Sequence, residues 1–114
     1  MGQALDIVNR FMQSQDPSLL ADDFRFLGPV DQTTGIDAFI TLNADFFPLV
    51  TKMSMLKQFE QGNDVCSLYE MDLTSPSGTS LTLHIADWVV VEGGKMVKER
   101  MYYDAREFVA AFGR

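Results

Sequence analysis

The sequence predicts an α+β fold in which N-terminal helices wrap a curved antiparallel sheet into a cone. Two spacings of apolar residues carry this prediction. Over residues 3–14 and 36–47 apolar side chains recur every three or four positions, which is typical of amphipathic helices. From residue 50 onward apolar and polar residues alternate, which is typical of strands. A block of strands after helices favours an antiparallel sheet with the helices on one side.

The helical half of the chain has clear start and stop signals. The first helix ends before Asp16-Pro17, which predicts a short second helix over 17–21 because Asp caps helices and Pro suits their first turn. A short strand at 24–26 ends at Gly28-Pro29, and a polar loop follows to Gly35. The next helix stops at Pro48, which cannot continue it.

Turn residues divide the remaining chain into four strands and a final helix. Gly62-Asn63 and the segment 75–78 separate the first three strands, of which 79–91 is the longest. Glu92-Gly93-Gly94-Lys95 predicts a hairpin into the last strand, 96–103. A short capped helix then ends near Phe112. All 114 residues are expected to form one domain, 1–114.

Composition excludes several classes of function. The formal net charge of −7 repels phosphate backbones and anionic lipids, so neither nucleic acid nor membrane is an expected partner. One cysteine, Cys66, permits no internal disulfide, and a reducing, cytoplasmic location fits best. One histidine and one cysteine leave no expected metal site, and no nucleotide-binding motif implies a cofactor.

Nearly the whole chain resembles a known family, and most of the motifs that carry the resemblance lie in the second half. An acidic residue and an aromatic share one strand in Ala86-Asp87-Trp88, a Gly94-Lys95 hairpin follows, and the pair Tyr102-Tyr103 precedes a capping Asp104. In this order they resemble the SnoaL-like branch of the nuclear transport factor 2-like proteins. The resemblance implies that family's cystatin-like α+β barrel. It also implies an apolar pocket for a polyketide-, steroid- or terpenoid-like molecule, with proton transfer of the cyclase or isomerase type.

Asp87 is the candidate catalytic residue, because it is the one carboxylate among apolar residues on its face of the longest strand. A charged carboxylate is costly to bury there without a partner. One interpretation is a structural Asp87 paired with Arg100, and the other is a pocket acid or base. A two-residue turn would place Asp87 opposite Arg100, and a three-residue turn would place it opposite Glu99. In the second register the two carboxyls would share a proton, which makes Glu99 the second catalytic candidate.

The predicted ligand-binding residues are the large apolar side chains assigned to the interior of the cone. They are Phe11, Phe39, Phe46, Met55, Phe59, Leu83, Ile85, Met101 and Tyr103. None of them can neutralise a phosphate, so we expect an uncharged or weakly anionic ring compound of modest size.

The opposite face of the longest strand predicts a subunit contact. His84, Trp88 and Val90 share this face, and Tyr102 belongs to it on the next strand. Apolar side chains here are unsuited to free exposure, so a homodimer is expected. Two functions therefore remain open: a proton-transfer enzyme, and a non-catalytic ligand-binding or dimerisation module.

Overall fold

A computed structural model describes residues 2–113 of the chain. Three α-helices, two 3-10 turns and six strands follow one another in this part of the chain. In order they are α1 (Gln3–Ser14), a 3-10 turn (Pro17–Leu19), β1 (Leu20–Leu27), β2 (Gln32–Thr34), α2 (Ile36–Phe46), a 3-10 turn (Phe47–Leu49), β3 (Val50–Gln61), β4 (Asp64–Thr74), β5 (Ser80–Glu92), β6 (Lys95–Tyr102) and α3 (Arg106–Phe112).

The strands form one sheet in the order β2-β1-β6-β5-β4-β3, and the predicted α+β fold is confirmed. Three details differ from the prediction. The helix predicted over 17–21 is only a 3-10 turn over Pro17–Leu19, because Leu20 already pairs with Met96 as the first residue of β1. The strand β2 lies within the expected polar loop, because a strand of three residues is too short to show an alternating pattern. β1 also pairs parallel to β6, whereas the other pairs are antiparallel.

Aromatic packing closes one end of the cone. Along β4 and β5 buried and exposed residues alternate, so the sheet has one apolar inner face. α1 covers this face, and Phe11 lies on its buried side. The α2 residue Phe39 stacks on Phe11 at 5.9 Å between ring centroids, and lies 4.7 Å from Phe24 and 5.3 Å from Phe26. Such ring pairs add to the stabilisation that burial alone provides.

Polar contacts with β3 fix the position of α1 over the sheet. The carboxylate of Glu60 accepts hydrogen bonds from the backbone N–H groups of Gly2, at 3.0 Å, and Leu5, at 2.9 Å. An acidic group is favourable here because the N-terminus of a helix carries partial positive charge. Further along, the Gln58 amide donates to Asn9 at 2.8 Å and to the buried hydroxyl of Ser67 at 3.0 Å. These contacts hold α1 against strands β3 and β4.

A bulge in β3 overturns the prediction that Phe59 faces the interior. Met55 is paired with Tyr69, but the next pair is Lys57 with Leu68, so Leu56 is an extra residue. Because side chains alternate along a strand, one extra residue moves those after it to the other face. Phe59 consequently lies on the outer face, where it is 50% exposed.

A second bulge gives the β5–β6 hairpin a register that neither predicted turn produced. Gly93 and Gly94 form a two-residue turn, and both have the positive φ angles that such turns require. The register then shifts at Val97, so Asp87 is paired with Met101. Glu99 is paired with Val89, one step further along the same face. Arg100 lies opposite Trp88 on the outer face, and the predicted pairing of Asp87 with Arg100 is wrong.

Candidate functional site

A cavity of about 110 Å³ lies between the inner face of the sheet and the helices. Its walls are mainly apolar and come from α1, α2, α3 and strands β3 to β6. The volume is slightly smaller than that of a dry engineered cavity that binds benzene, roughly 150 Å³. In the structure as it stands, the space is therefore suited to a single small ring.

Seven of the nine predicted ligand-binding residues lie on the cavity wall, and two do not. The seven are Phe11, Phe39, Phe46, Leu83, Ile85, Met101 and Tyr103. Met55 points to the inner side of the sheet but lies on the edge strand β3, where it is 42% exposed and away from the wall. Phe59 lies on the outer face of the sheet, because the bulge at Leu56 reverses the direction of the side chains that follow it. Met53, which was not proposed, takes part in the lining.

Three buried polar side chains meet on this otherwise apolar wall. Asp87 and Glu99 are each only 6% exposed, and Tyr69 is 3% exposed. The Tyr69 hydroxyl donates a hydrogen bond to Oδ2 of Asp87 at 2.8 Å. The carboxyls of Asp87 and Glu99 lie within hydrogen-bonding reach of each other, and all three residues line the cavity. We call Tyr69, Asp87 and Glu99 the acid cluster.

Burial controls the protonation of the acid cluster. It raises the pKa of Glu99 well above the ordinary value, and the neighbouring charge of Asp87 raises it further. Burial also raises the pKa of Asp87, but hydrogen bonds from Glu99 and Tyr69 oppose that rise. Burial likewise raises the pKa of Tyr69, so its hydroxyl keeps its proton. Both carboxyls therefore favour the protonated form more than an exposed carboxyl does, and the pair shares a proton.

The Asp87 carboxylate has a second oxygen atom beyond the one that accepts the Tyr69 hydrogen bond. Within residues 2–113, no amide or hydroxyl group donates to Oδ1 of Asp87, although the atom is fully buried. An acceptor without a donor in an apolar site is energetically costly, and the protonated carboxyl of Glu99 is the group that can relieve that cost. A carboxylate beside a carboxylic acid can both accept a proton and return one.

Two parts of this site were not predicted from the sequence. One is Tyr69, which donates a hydrogen bond to Asp87. The alternation along its strand could have indicated this role, because it places Tyr69 on the inner face and a buried tyrosine hydroxyl needs a partner. The half-buried amides of Gln15 and Asn43 also line the cavity. No sequence pattern identifies either residue as part of the cavity wall, because only the folded chain brings the end of α1 against α2. Asp31, in the loop after Gly28, lies on the wall as well.

The residues assigned to the subunit contact lie on the outer face of the sheet. Trp88 is 38% exposed and donates through Nε1 to Asp64 at 2.9 Å. His84 lies 3.3 Å from the carboxylate of Glu70, far from the acid cluster. Tyr102 is 51% exposed and lines an open groove with Leu56, Leu68 and Ala86.

Among residues 2–113, no three His, Cys, Asp or Glu side chains gather closely enough to hold a metal ion. No helix in that range has the length and apolar character that crossing a bilayer requires.

A curved sheet closed by helices around a central cavity defines the nuclear transport factor 2-like class of proteins. The sequence profile of the SnoaL-like domain matches residues 8–99, so the chain belongs to the SnoaL-like family and the resemblance read from the sequence is confirmed. No curated protein matches the chain.

Solved structures with low sequence identity share the fold. A nuclear transport factor 2-like protein of unknown function from Burkholderia pseudomallei K96243 is 19% identical, with a TM-score of 0.82 and full coverage of both chains. A proposed SnoaL-like polyketide cyclase from Jannaschia sp. CCS1 is 15% identical with a TM-score of 0.83, over 96% of this chain and 91% of that one. TerC, co-crystallised with polyporic acid, is 16% identical with a TM-score of 0.79, over 98% and 99% of the two chains.

Proposed function

We propose that this protein binds a small, mainly apolar ring compound in its cavity and transfers a proton on it through Asp87 and Glu99. The observation that carries the proposal is the acid cluster itself, in which two buried carboxyls and a tyrosine converge on one apolar cavity. Groups with opposite protonation states side by side are a common basis for acid–base catalysis. The reducing environment that suits a lone cysteine favours a cytoplasmic location.

The proposed step is an isomerisation of the kind that a cyclase or isomerase performs. The carboxylate of Asp87 takes a proton from a carbon next to a carbonyl group. The electron pair of that C–H bond moves onto the carbonyl oxygen as an enolate, and the proton returns to a different carbon. No oxidant or reductant is needed. Tyr69 holds the Asp87 carboxylate in position, and Glu99 supplies the hydrogen bond that keeps it a carboxylate.

The chemistry of the wall indicates the class of ligand. Aromatic and aliphatic side chains suit polyketide-, steroid- or terpenoid-like rings, and the part of the lining that residues 2–113 form contains no Lys or Arg to neutralise a phosphate. The complex of TerC with polyporic acid supports a small-molecule ligand, because that protein shares this fold. The volume of about 110 Å³ favours one ring, and a larger ligand would require the helices to move outward.

A thermal-shift screen tests the ligand class. We expect phenols and small aromatic or terpenoid ketones to raise the melting temperature, because a ligand at one hundred times its Kd stabilises the folded state by about 2.7 kcal/mol. Nucleotides at the same concentrations should have no effect. Stabilisation by nucleotides and not by ring compounds would refute the proposal.

We further propose that two copies of the chain associate through the outer face of the sheet. Trp88, Tyr102 and Leu56 are exposed there by 38%, 51% and 63%. Large apolar side chains exposed together mark an interaction surface, and a symmetric contact between identical copies is the commonest oligomer. This association is also the main element of the second candidate function, a dimerisation module without catalysis.

Light scattering tests the association. We expect a particle of twice the 12.8 kDa chain mass at micromolar concentration. Tyr102→Glu should release monomers, because it places a charge within the contact, whereas Thr41→Glu on the exposed side of α2 should not. A wild-type monomer under these conditions would contradict the homodimer.

A further inference from the structure

Two amide side chains form a second polar group on the cavity wall. Gln15 follows the C-terminal end of α1, and Asn43 lies in the second half of α2. The Asn43 Nδ2 group donates to Oε1 of Gln15 at 3.0 Å, and Nε2 of Gln15 donates to the backbone carbonyl of Phe11 at 3.2 Å. Both side chains line the cavity and are half-buried. We call these two residues the amide pair.

The backbone of Gln15 adopts a conformation that residues other than glycine rarely adopt. Its φ of 54° is left-handed, and it is the one non-glycine residue with positive φ within residues 2–113. Glycine is the usual residue at such a helix end, because it has no β-carbon to clash. A glutamine at this position accepts a strained backbone and, unlike a glycine, contributes a polar side chain to the cavity.

The amide pair has hydrogen-bonding capacity beyond the contacts that hold it in place. An amide nitrogen carries two hydrogens, and each of these nitrogens uses one in the bonds just described. The remaining N–H groups and Oδ1 of Asn43 can therefore bind either a carbonyl or a hydroxyl group. Half-burial makes them accessible to a ligand while shielding the bond from much of the competing water.

The acid cluster and the amide pair lie on different walls of the same cavity. The acid cluster belongs to strands β4, β5 and β6, and the amide pair belongs to the two helices that cover the sheet. Phe11, Phe39 and Met101 contribute apolar surface to the same cavity. The space thus has a polar group at the sheet, a polar group at the helices, and apolar walls.

We infer that the amide pair binds a second polar group of the ligand, so that the ligand is a ring compound with a hydroxyl or carbonyl group at each end. This inference rests on the proposed function, since it assumes that the first polar group binds at the acid cluster. It defines the substrate class more narrowly, because a ring with a single polar group would leave the amide pair without a ligand contact.

Calorimetric titration of matched phenols tests the inference. The probes are three pairs in which the second hydroxyl lies progressively further away: phenol with hydroquinone, 4-ethylphenol with 4-(2-hydroxyethyl)phenol, and 2-naphthol with 2,6-dihydroxynaphthalene. For the pair whose length fits, we expect the diol to bind about tenfold more tightly than its parent, the effect of one added hydrogen bond.

Two variants locate the source of this preference. Asn43→Leu keeps the approximate shape but removes the amide, so on this variant the diol should no longer bind more tightly than its parent phenol. Gln15→Gly should have the same effect and preserve folding, because glycine suits the positive φ. Gln32→Leu, which removes an exposed amide outside the cavity, should keep the preference.

The possible failures are distinguishable. If the parent phenols bind but no diol binds more tightly, or if the advantage persists in both amide variants, the amide pair is only a tie between α1 and α2 and the inference is wrong. If neither phenols nor diols bind the wild-type protein, the proposed ligand class is wrong, and this inference fails with it.

Discussion

Asp87→Asn is expected to weaken binding of a phenol by about tenfold to one hundredfold, while the protein remains folded. A hydrogen bond to a charged group contributes about 1.5–3 kcal/mol, and asparagine replaces the carboxylate with a neutral amide. Turnover of a true substrate should fall by a factor of 10² to 10⁴, the usual contribution of a positioned acid or base. Calorimetric titration and a kinetic assay would measure the two losses.

The stability of this variant separates the two interpretations of Asp87. Asparagine has the same shape and can still accept the Tyr69 hydrogen bond, so the free energy of unfolding at neutral pH should change by less than about 1 kcal/mol. Asp22→Asn, at an exposed carboxylate of β1, is the matched control and should change neither property. A loss of about 3 kcal/mol with unchanged binding would instead indicate a purely structural role.

Glu99→Gln is expected to remove a large part of the pH dependence of stability. The folded state raises the pKa of Glu99 above its ordinary value of 4.5, so it holds a proton that the unfolded chain releases. The stabilisation from this proton is complete below the ordinary pKa and is lost as pH rises through the raised one. Across that window the wild-type protein should lose about 1.4 kcal/mol for each pH unit relative to Glu99→Gln.

Urea unfolding from mildly acidic to mildly alkaline pH would measure this difference. The variant should be the relatively more stable protein at the alkaline end, because its neutral amide needs no proton. Glu92→Gln, at the exposed end of β5, should follow the wild-type curve. Parallel curves for the wild-type protein and Glu99→Gln would show that Glu99 is not held protonated by the fold.

The spacing of apolar residues predicted the helices, the four long strands and the inward face that carries Asp87, because burial imposes those periods directly. The spacing did not predict the bulges at Leu56 and Val97, because neither residue has a sequence feature that distinguishes it from its neighbours in the strand. One bulge carried Phe59 to the outside. The other changed the partner of Asp87 and still left Glu99 close, since residues two apart on a strand share a face.

Contacts between distant segments were also beyond sequence patterns. The alternation along β4 placed Tyr69 inside, yet its hydrogen bond to Asp87 depends on how neighbouring strands align. The amide pair depends on the end of α1 lying against α2, which only the folded chain establishes. The candidate carboxylates were thus predicted from the sequence, whereas the Tyr69 hydrogen bond to Asp87 and the amide pair were not.

The protonation state of the acid cluster can be observed directly by following the carboxyl ¹³C resonances of Asp87 and Glu99 through a pH titration. We predict that Glu99 remains protonated at neutral pH, that Asp87 ionises first though above its ordinary pKa, and that each resonance responds to both steps because the pair shares a proton. Two independent titrations at ordinary carboxyl pKa values would contradict a buried acid–base pair and, with it, the proposed proton transfer.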